Sequence, residues 1–234
     1  MILTLILYTL GAGLPIFIGG ILAWIISLQK IKYQFEFYNS MISLGGGILL
    51  ASVGFVLIPH SINEIHIIFS AFFLLLGCVC FASLNEIIKK YGQSYSQVAA
   101  MLLDYIPEII ALGALYATQS KYTSLLLVFI ALQNLPEGFN AYKDFIKNGY
   151  SVKKTLLYLF LISVLGIFPA LFGYELLVFF PSIVAIIMLF AAGGILYFVF
   201  QDIIPNSVVK SSQAPSFSGV LGFLLGMIGY FYLG

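Results

Sequence analysis

Runs of about 20 apolar residues fill nearly the whole chain, with only short polar intervals between them. A run of that length, wound as an α-helix, crosses the roughly 30 Å hydrocarbon core of a bilayer. Hydrophobic residues make up 62% of the 234 residues and charged residues only 8%, which leaves no room for a separate soluble domain. The sequence therefore predicts an all-α membrane protein, with one transmembrane domain over residues 1–234.

The polar intervals divide the chain into eight predicted helices. Their approximate ranges are 1–28, 38–60, 64–88, 96–118, 122–145, 154–174, 181–208 and 214–233. The first has no basic flank and no small-residue cleavage site, so we expect a retained helix and not a signal peptide.

The positive charges predict how these helices are oriented. All ten basic residues are lysines. Nine of them fall in or beside the loops that follow helices 1, 3, 5 and 7, and Lys121 alone falls on the other side. The positive-inside rule makes the lysine-rich side cytoplasmic, so both termini are expected outside. The composition suggests a bacterium, and hence its inner membrane.

Predicted helices 4 and 5 both carry acidic residues in the middle of apolar sequence. Each contains a proline followed by a glutamate, Pro107-Glu108 and Pro136-Glu137, with a polar residue four positions before the glutamate, Asp104 and Gln133. Residues four apart share one face of a helix. A carboxylate at the bilayer centre costs at least about 3 kcal/mol unless it faces a cavity, a partner or an ion. The duplicated pattern indicates an ion site.

If the two polar faces meet, they provide three carboxylates and one amide oxygen, a set suited to a divalent cation. Asn134 and Asn140 extend the polar surface of helix 5, and Gly138 allows a neighbouring helix to approach closely. We expect no basic residue inside either helix, so no local ion pair would neutralise the acids. In the alternative interpretation, the prolines only kink the helices, and hydroxyl groups or protons satisfy the acids.

Helices 2 and 7 share a second pattern. Gly46-Gly47-Ile48-Leu49 precedes Ile58-Pro59-His60-Ser61, and Gly193-Gly194-Ile195-Leu196 precedes Ile204-Pro205-Asn206-Ser207, with a one-residue difference in spacing. The lysine distribution orients these helices in opposite directions, which is typical of an inverted-topology repeat. We expect helices 1–3 and 6–8 to be inverted repeats around helices 4 and 5, although such short matches also arise by chance.

Gln133-Asn134-Leu135-Pro136-Glu137-Gly138 resembles the (His or Gln)-Asn-x-Pro-Glu-Gly motif of the ZIP family of zinc and iron permeases. Asp104-Tyr105-Ile106-Pro107-Glu108 lies where that family has a related motif in helix 4. The resemblance implies transport of a divalent metal ion as substrate, Zn²⁺, Fe²⁺ or Mn²⁺, into the cytoplasm, without an organic cofactor. The ligands it implies are Asp104, Glu108, Gln133, Asn134 and Glu137.

The chain departs from the family at several positions. Asp104 replaces a histidine, Tyr105 an asparagine and Ile109 a glycine, and Phe168-Pro169 stands where many members have a metal-binding Glu-Pro. A second metal site is therefore predicted to be lost, with Tyr105 and Phe168 in its place. Exchanging imidazole for carboxylate favours harder ions such as Mn²⁺, Fe²⁺ or Mg²⁺, although Zn²⁺ also accepts carboxylates.

Two other functions stay open. A non-transporting metal sensor or scaffold on the same fold is the main alternative, favoured by the lost histidine. An intramembrane enzyme is disfavoured because no Gly-x-Gly-Asp, Ser-His or His-Glu-x-x-His pattern occurs, so we predict no catalytic residue. The expected partners are the metal ion and the lipid bilayer, with a homodimer left open and no nucleic acid.

Polar residues near the helix ends are candidates for the metal's route. His60 and His66, with Glu64 between them, would collect metal at the outer turn, although such residues are more often simply solvated. Gln201 and Asp202 would line the inner exit, the alternative being a water-facing helix end.

Overall fold

The computed structural model describes residues 1–29, 34–91 and 96–233, and these are almost entirely helical. The α-helices of this described part are α1 (Ile2–Ser27), α2 (Gln34–Ser52), α3 (Ile58–Ile62), α4 (Ile67–Tyr91), α5 (Ser96–Ala117), α6 (Tyr122–Lys147), α7 (Val152–Leu165), α8 (Ile167–Glu175), α9 (Pro181–Phe198), α10 (Ile204–Ser207) and α11 (Ala214–Leu233). Two π turns, Val53–Leu57 and Val199–Ile203, join α2 to α3 and α9 to α10, and a 3₁₀ turn, Leu177–Phe179, follows α8.

Joined in this way, the helices form eight rods that correspond to the eight predicted helices. The second rod is α2 with α3, the sixth is α7 with α8, and the seventh is α9 with α10. The second begins at Gln34 and the third at Ile67, so both starts differ from the predicted ones. Within the described residues, six segments are long and apolar enough to cross a membrane: Ile2–Ser27, Phe35–Ile62, Ile67–Ile87, Val152–Phe179, Pro181–Ser207 and Ala214–Leu233. The predicted helical, membrane-spanning architecture is confirmed at this level.

Both π turns have the same local cause, an Ile-Pro step. Proline has no N–H, and its ring clashes with the carbonyl four residues earlier, so a regular α-helix is disrupted at Pro59 and at Pro205. The helix widens just before each proline. The N–H of Ile58 donates to the carbonyl of Val53, and the N–H of Ile204 donates to that of Val199. Widened turns of this type are frequent at functional sites.

Glycines bring the outer helices together in parallel pairs. Gly47 of α2 lies against the carbonyl of Gly219 in α11, and Gly222 of α11 lies against the carbonyl of Leu44. The equivalent contacts between α4 and α9 join Gly77 to Phe190 and Gly193 to Leu74. A Cβ at any of these glycines would overlap the facing backbone, so only glycine permits this helix separation.

The two motif-bearing helices are paired in the same way with other partners. Gly138 of α6 lies against the carbonyl of Ile16 in α1, and Gly19 lies against that of Leu135. The equivalent contacts between α5 and α8 join Gly113 to Ala170 and Gly173 to Ile110. Helices α5 and α6 also pack on each other, and α2 and α9 complete their surroundings. The fold thus places the two polar faces in the interior of the bundle.

Candidate functional site

Packing of α5 against α6 places the two polar motifs opposite each other. Nε2 of Gln133 donates a hydrogen bond to Oε2 of Glu108 across the interface. Asp104 lies one turn before Glu108 and Glu137 one turn after Gln133, so in an antiparallel pair Asp104 and Glu137 face each other. Their carboxylates, and that of Glu108, are close enough to repel one another. The site therefore has two layers, Glu108 with Gln133 and Asp104 with Glu137.

The five residues that the family resemblance implies as ligands are all buried. Glu108, Gln133 and Asn134 are fully inaccessible, whereas Asp104 is 6% and Glu137 7% exposed. The layer of Asp104 and Glu137 is thus the one closer to solvent. It lies toward the N-terminus of α5 and the C-terminus of α6, which is the lysine-rich end of the bundle.

Several oxygen atoms of this cluster have no hydrogen-bond donor among the described residues. They are Oε1 of Glu108, Oε1 of Gln133, Oδ1 of Asn134 and both carboxylate oxygens of Glu137. Leaving a buried polar group unpaired costs about 1–3 kcal/mol, so such groups are rare unless a ligand or ion satisfies them. Unpartnered oxygens beside several carboxylates are the donors that a divalent cation accepts.

In this conformation the candidate ligands do not form a closed coordination shell. Within the described ranges, no group of three or more His, Cys, Asp or Glu side chains is arranged to hold a metal ion. Two contacts contribute to this. The amide of Gln133 occupies one oxygen of Glu108, and Oδ1 of Asp104 accepts a 2.7 Å hydrogen bond from the N–H of Tyr105. A cation would require Gln133 to present its oxygen in place of its NH₂ group.

A cavity of about 280 Å³ leads from Glu137 to the lysine-rich end of the bundle. It runs between α2, α6 and the turn from α9 to α10, and its polar lining includes Asn140, Asp202 and Asn206. Asn140 extends the polar surface of α6, and Asp202 lines the cavity toward its lysine-rich end. Gln201 does not: it lines a separate groove beside α4, so the expectation for Gln201 is wrong.

Two lysines of α6 line the same cavity as Glu137. They are Lys143 and Lys147, and α6 continues through Lys147 to the end of the cavity. The expectation of no basic residue in this helix is therefore wrong. The ammonium group of Lys143 lies over the ring of Tyr38 in α2, 3.8 Å from its centroid.

At the opposite end, a second cavity of about 200 Å³ does not reach the site. His60 and Glu64 line it together with Leu115, whereas His66, the other histidine of the expected collection point, is not part of its wall. Leu115 lies seven residues beyond Glu108, about 10 Å along α5, and Leu112 between them is fully buried. Packed apolar side chains thus separate Glu108 from this end.

Of the two residues expected in place of a second metal, one lies in the interior and one does not. Tyr105 is fully buried, contacts Gly13 and Gly166, and lies with its hydroxyl 3.4 Å from the carbonyl of Ser163. Phe168 is 72% exposed, so its predicted position is wrong. In α8 the face toward α5 contains Ala170, and a residue two positions away points to nearly the opposite side.

Two polar residues near the site were missed at the sequence level. Asn85 of α4 donates to the hydroxyl of Tyr197 at 3.1 Å and to Oδ2 of Asp202 at 3.2 Å, which holds Asp202 at the cavity wall. Ser52 of α2 lies beside the carboxylate of Glu108. Ser52 is a polar residue in a largely apolar stretch, and Asn85 lies beside Glu86 near the polar end of α4, so only Ser52 had a clear signal in the sequence.

Comparison with known proteins adds no assignment, because no family model and no curated protein matches this chain.

Proposed function

We propose that this chain is a membrane transporter that moves a divalent transition-metal cation, Zn²⁺, Fe²⁺ or Mn²⁺, into the cytoplasm. One observation carries the proposal: buried Glu108 and Gln133 face each other beside Glu137, which lines a cavity and whose carboxylate has no hydrogen-bond donor among the described residues. Glu108 and Glu137 would be the central ligands, with Asp104 and Gln133 completing the shell. The helix-5 motif, which resembles that of ZIP permeases, agrees with this assignment.

Asn134 would contribute at the edge of the site. Its Nδ2 donates a 2.7 Å hydrogen bond to the carbonyl of Ala12 in α1, and its Oδ1 has no donor in the described part of the chain. The side chain therefore ties α6 to α1 and keeps one oxygen available. All the proposed ligands are oxygen donors, which favours Mn²⁺ or Fe²⁺ over Zn²⁺.

An inverted repeat would provide alternating access. Gly47 and Gly193 make equivalent close contacts. The π turn and the Ile-Pro step follow Gly47 and Gly193 after the same number of residues. Aligning Gly47 with Gly193, in place of Gly46, removes the one-residue difference in spacing. Pro15 and Pro169 likewise precede equivalent glycines, Gly19 and Gly173.

The same two-fold relation would exchange the two layers of the site. It pairs Asp104 with Gln133 and Glu108 with Glu137, so the sealed layer maps onto the layer beside the cavity. The conformation described here would face the cytoplasm. Its counterpart would open the Glu108 layer to the other side and close the Glu137 layer. In this proposal all eight rods span a bacterial inner membrane, with both termini outside.

A metal sensor or scaffold that does not transport is the second candidate. The absence of a closed coordination shell among the described residues, and the packed layer around Leu112, favour it. It differs from a transporter in one measurable property, because it would bind the ion without moving it across a membrane.

The test is Mn²⁺ accumulation in bacterial cells that express the protein. Wild-type cells should accumulate Mn²⁺ above vector-only cells, and Glu108→Ala and Glu137→Ala should both return accumulation to the vector level. Glu175→Ala, at an exposed carboxylate of α8, is the matched control and should behave as wild type. Unchanged accumulation in both site variants would refute the assignment. Mn²⁺ binding by purified protein without flux into reconstituted vesicles would favour the sensor.

A further inference from the structure

The cavity beside Glu137 contains a cation of its own, the ammonium group of Lys143. Lys143 is six residues beyond Glu137 on α6, about 9 Å along the helix axis, and both residues line the cavity. Helical side chains lean toward the N-terminus of their helix, so the lysine leans toward Glu137. An extended lysine side chain is long enough to cover most of this separation.

In the present conformation this ammonium group is held by an aromatic ring on the facing helix. It lies over Tyr38 of α2, and Tyr38 is itself fixed by packing against Phe139 of α6. A half-buried cation over an aromatic face is stabilised by about 1 kcal/mol, which a neighbouring carboxylate can match. The ring is therefore a resting position from which Lys143 can leave.

The other charges facing Lys143 single out Glu137 as its second position. Asp144 and Lys147 lie on the same helix, and Asp202 lies across the cavity, where it already accepts a hydrogen bond from Asn85. Glu137 is 7% exposed, and both its oxygens lack a donor among the described residues. It is the carboxylate of this cavity that gains most from an arriving cation.

We propose that Lys143 is a tethered counter-ion, which moves from Tyr38 to Glu137 when the transported cation leaves. The ammonium group then occupies part of the vacated site, and a cation returning from the cytoplasm has to displace it. Release into the cytoplasm is favoured as a result. The inference rests on the proposed function for the identity of the competing cation.

The first test is Mn²⁺ binding to purified protein, measured from the electron paramagnetic resonance spectrum of unbound Mn²⁺. Lys143→Met should bind Mn²⁺ about tenfold more tightly, because a competing charge a few Å away is removed. Lys143→Arg keeps the charge and should resemble wild type. Lys147→Met is the matched control, one turn further from Glu137 in the same cavity, and should change affinity less than about twofold.

Substitution of Tyr38 should change Mn²⁺ affinity in the opposite direction from Lys143→Met. Damage to the fold would not explain a gain of affinity in one variant and a loss in the other. Tyr38→Leu frees the ammonium group for Glu137 and should weaken Mn²⁺ binding about fivefold, whereas Tyr38→Phe keeps the ring and should have no effect. In reconstituted vesicles, Lys143→Met should lower both the half-saturating Mn²⁺ concentration and the maximal rate, because release becomes slower.

Two outcomes overturn the inference: unchanged Mn²⁺ affinity in Lys143→Met, or an equal gain in Lys147→Met. If wild type binds Mn²⁺ and Glu137→Ala abolishes binding, either of these outcomes refutes the counter-ion role of Lys143 but leaves the proposed function intact. If wild type does not bind Mn²⁺, the proposed function fails. The interaction of Lys143 with Glu137 is then tested without metal, by NMR of protein whose lysines are methylated. The signal of the Lys143 ammonium group should shift in Glu137→Gln, and the absence of a shift overturns the inference.

Discussion

Replacing Glu108 by glutamine should stabilise the empty protein while removing its response to metal. Glu108 is fully buried, one of its oxygens accepts from Gln133, and the other has no donor in the described part of the chain. Glutamine keeps the acceptor for Gln133, removes the repulsion from Asp104 and Glu137, and adds an NH₂ group that can donate to their oxygens. Relief of one such unsatisfied buried group amounts to about 2 kcal/mol.

That energy corresponds to a rise in melting temperature of about 4–8 °C for a chain of this length. Saturating Mn²⁺ should stabilise wild type much more than the variant. At about 100 times its Kd, a ligand stabilises the form that binds it by about 2.7 kcal/mol, a further 5–10 °C for wild type. Glu108→Gln should lose most of this gain, because a neutral amide replaces a charged central ligand.

The assay is thermal unfolding of detergent-purified protein with and without Mn²⁺, followed by intrinsic fluorescence or light scattering. Glu175→Gln removes an exposed carboxylate and should match wild type in both conditions. A lower melting temperature of metal-free Glu108→Gln would contradict the strain inferred for the buried carboxylate. A full Mn²⁺ response in the variant would show that Glu108 is not a ligand.

Two further predictions concern access and packing. In a background lacking the native cysteines, Asn206→Cys should react with a membrane-impermeant thiol reagent from the cytoplasmic side, because Asn206 lines the open cavity. Leu112→Cys should react from neither side, because Leu112 is fully buried. Labelling of Leu112→Cys from outside would show that the packed layer opens. Gly138→Ala should lower stability by about 1–3 kcal/mol, since its Cβ would overlap the carbonyl of Ile16, as thermal unfolding would detect. Gly229→Ala is the control, with no atom in the way of its Cβ, and an equal loss there would remove the packing explanation.

The pairing of the polar motifs could be anticipated because it depends on local geometry. Asp104 and Glu108 share a face by their spacing, and so do Gln133 and Glu137. A short connection between α5 and α6 makes the two helices neighbours that run in opposite directions. The hydrogen bond from Gln133 to Glu108 could not be anticipated in the same way, because periodicity does not say which group a side chain contacts.

The positions of Phe168 and Lys143 depended on contacts that are distant in the sequence. Phe168 was placed by alignment with a motif, but the rotation of α8 is set by the packing of Ala170 and Gly173 against α5. Lys143 falls at the end of predicted helix 5, beside the loop that follows it. It became part of the cavity because α6 extends to Lys147 and because α2 brings Tyr38 against it.

The sequence by itself determined that this protein is a bundle of apolar helices and that Asp104, Glu108 and Glu137 lie near the middle of two of them. It could do so because the bilayer constrains each helix separately, through length, hydropathy and the penalty on buried charge. Only the tertiary structure decided that the Glu137 layer meets an open cavity while the Glu108 layer is sealed. That asymmetry arises where α2 and α9 meet α5 and α6, and contacts between helices so far apart in the chain leave no local pattern in the sequence.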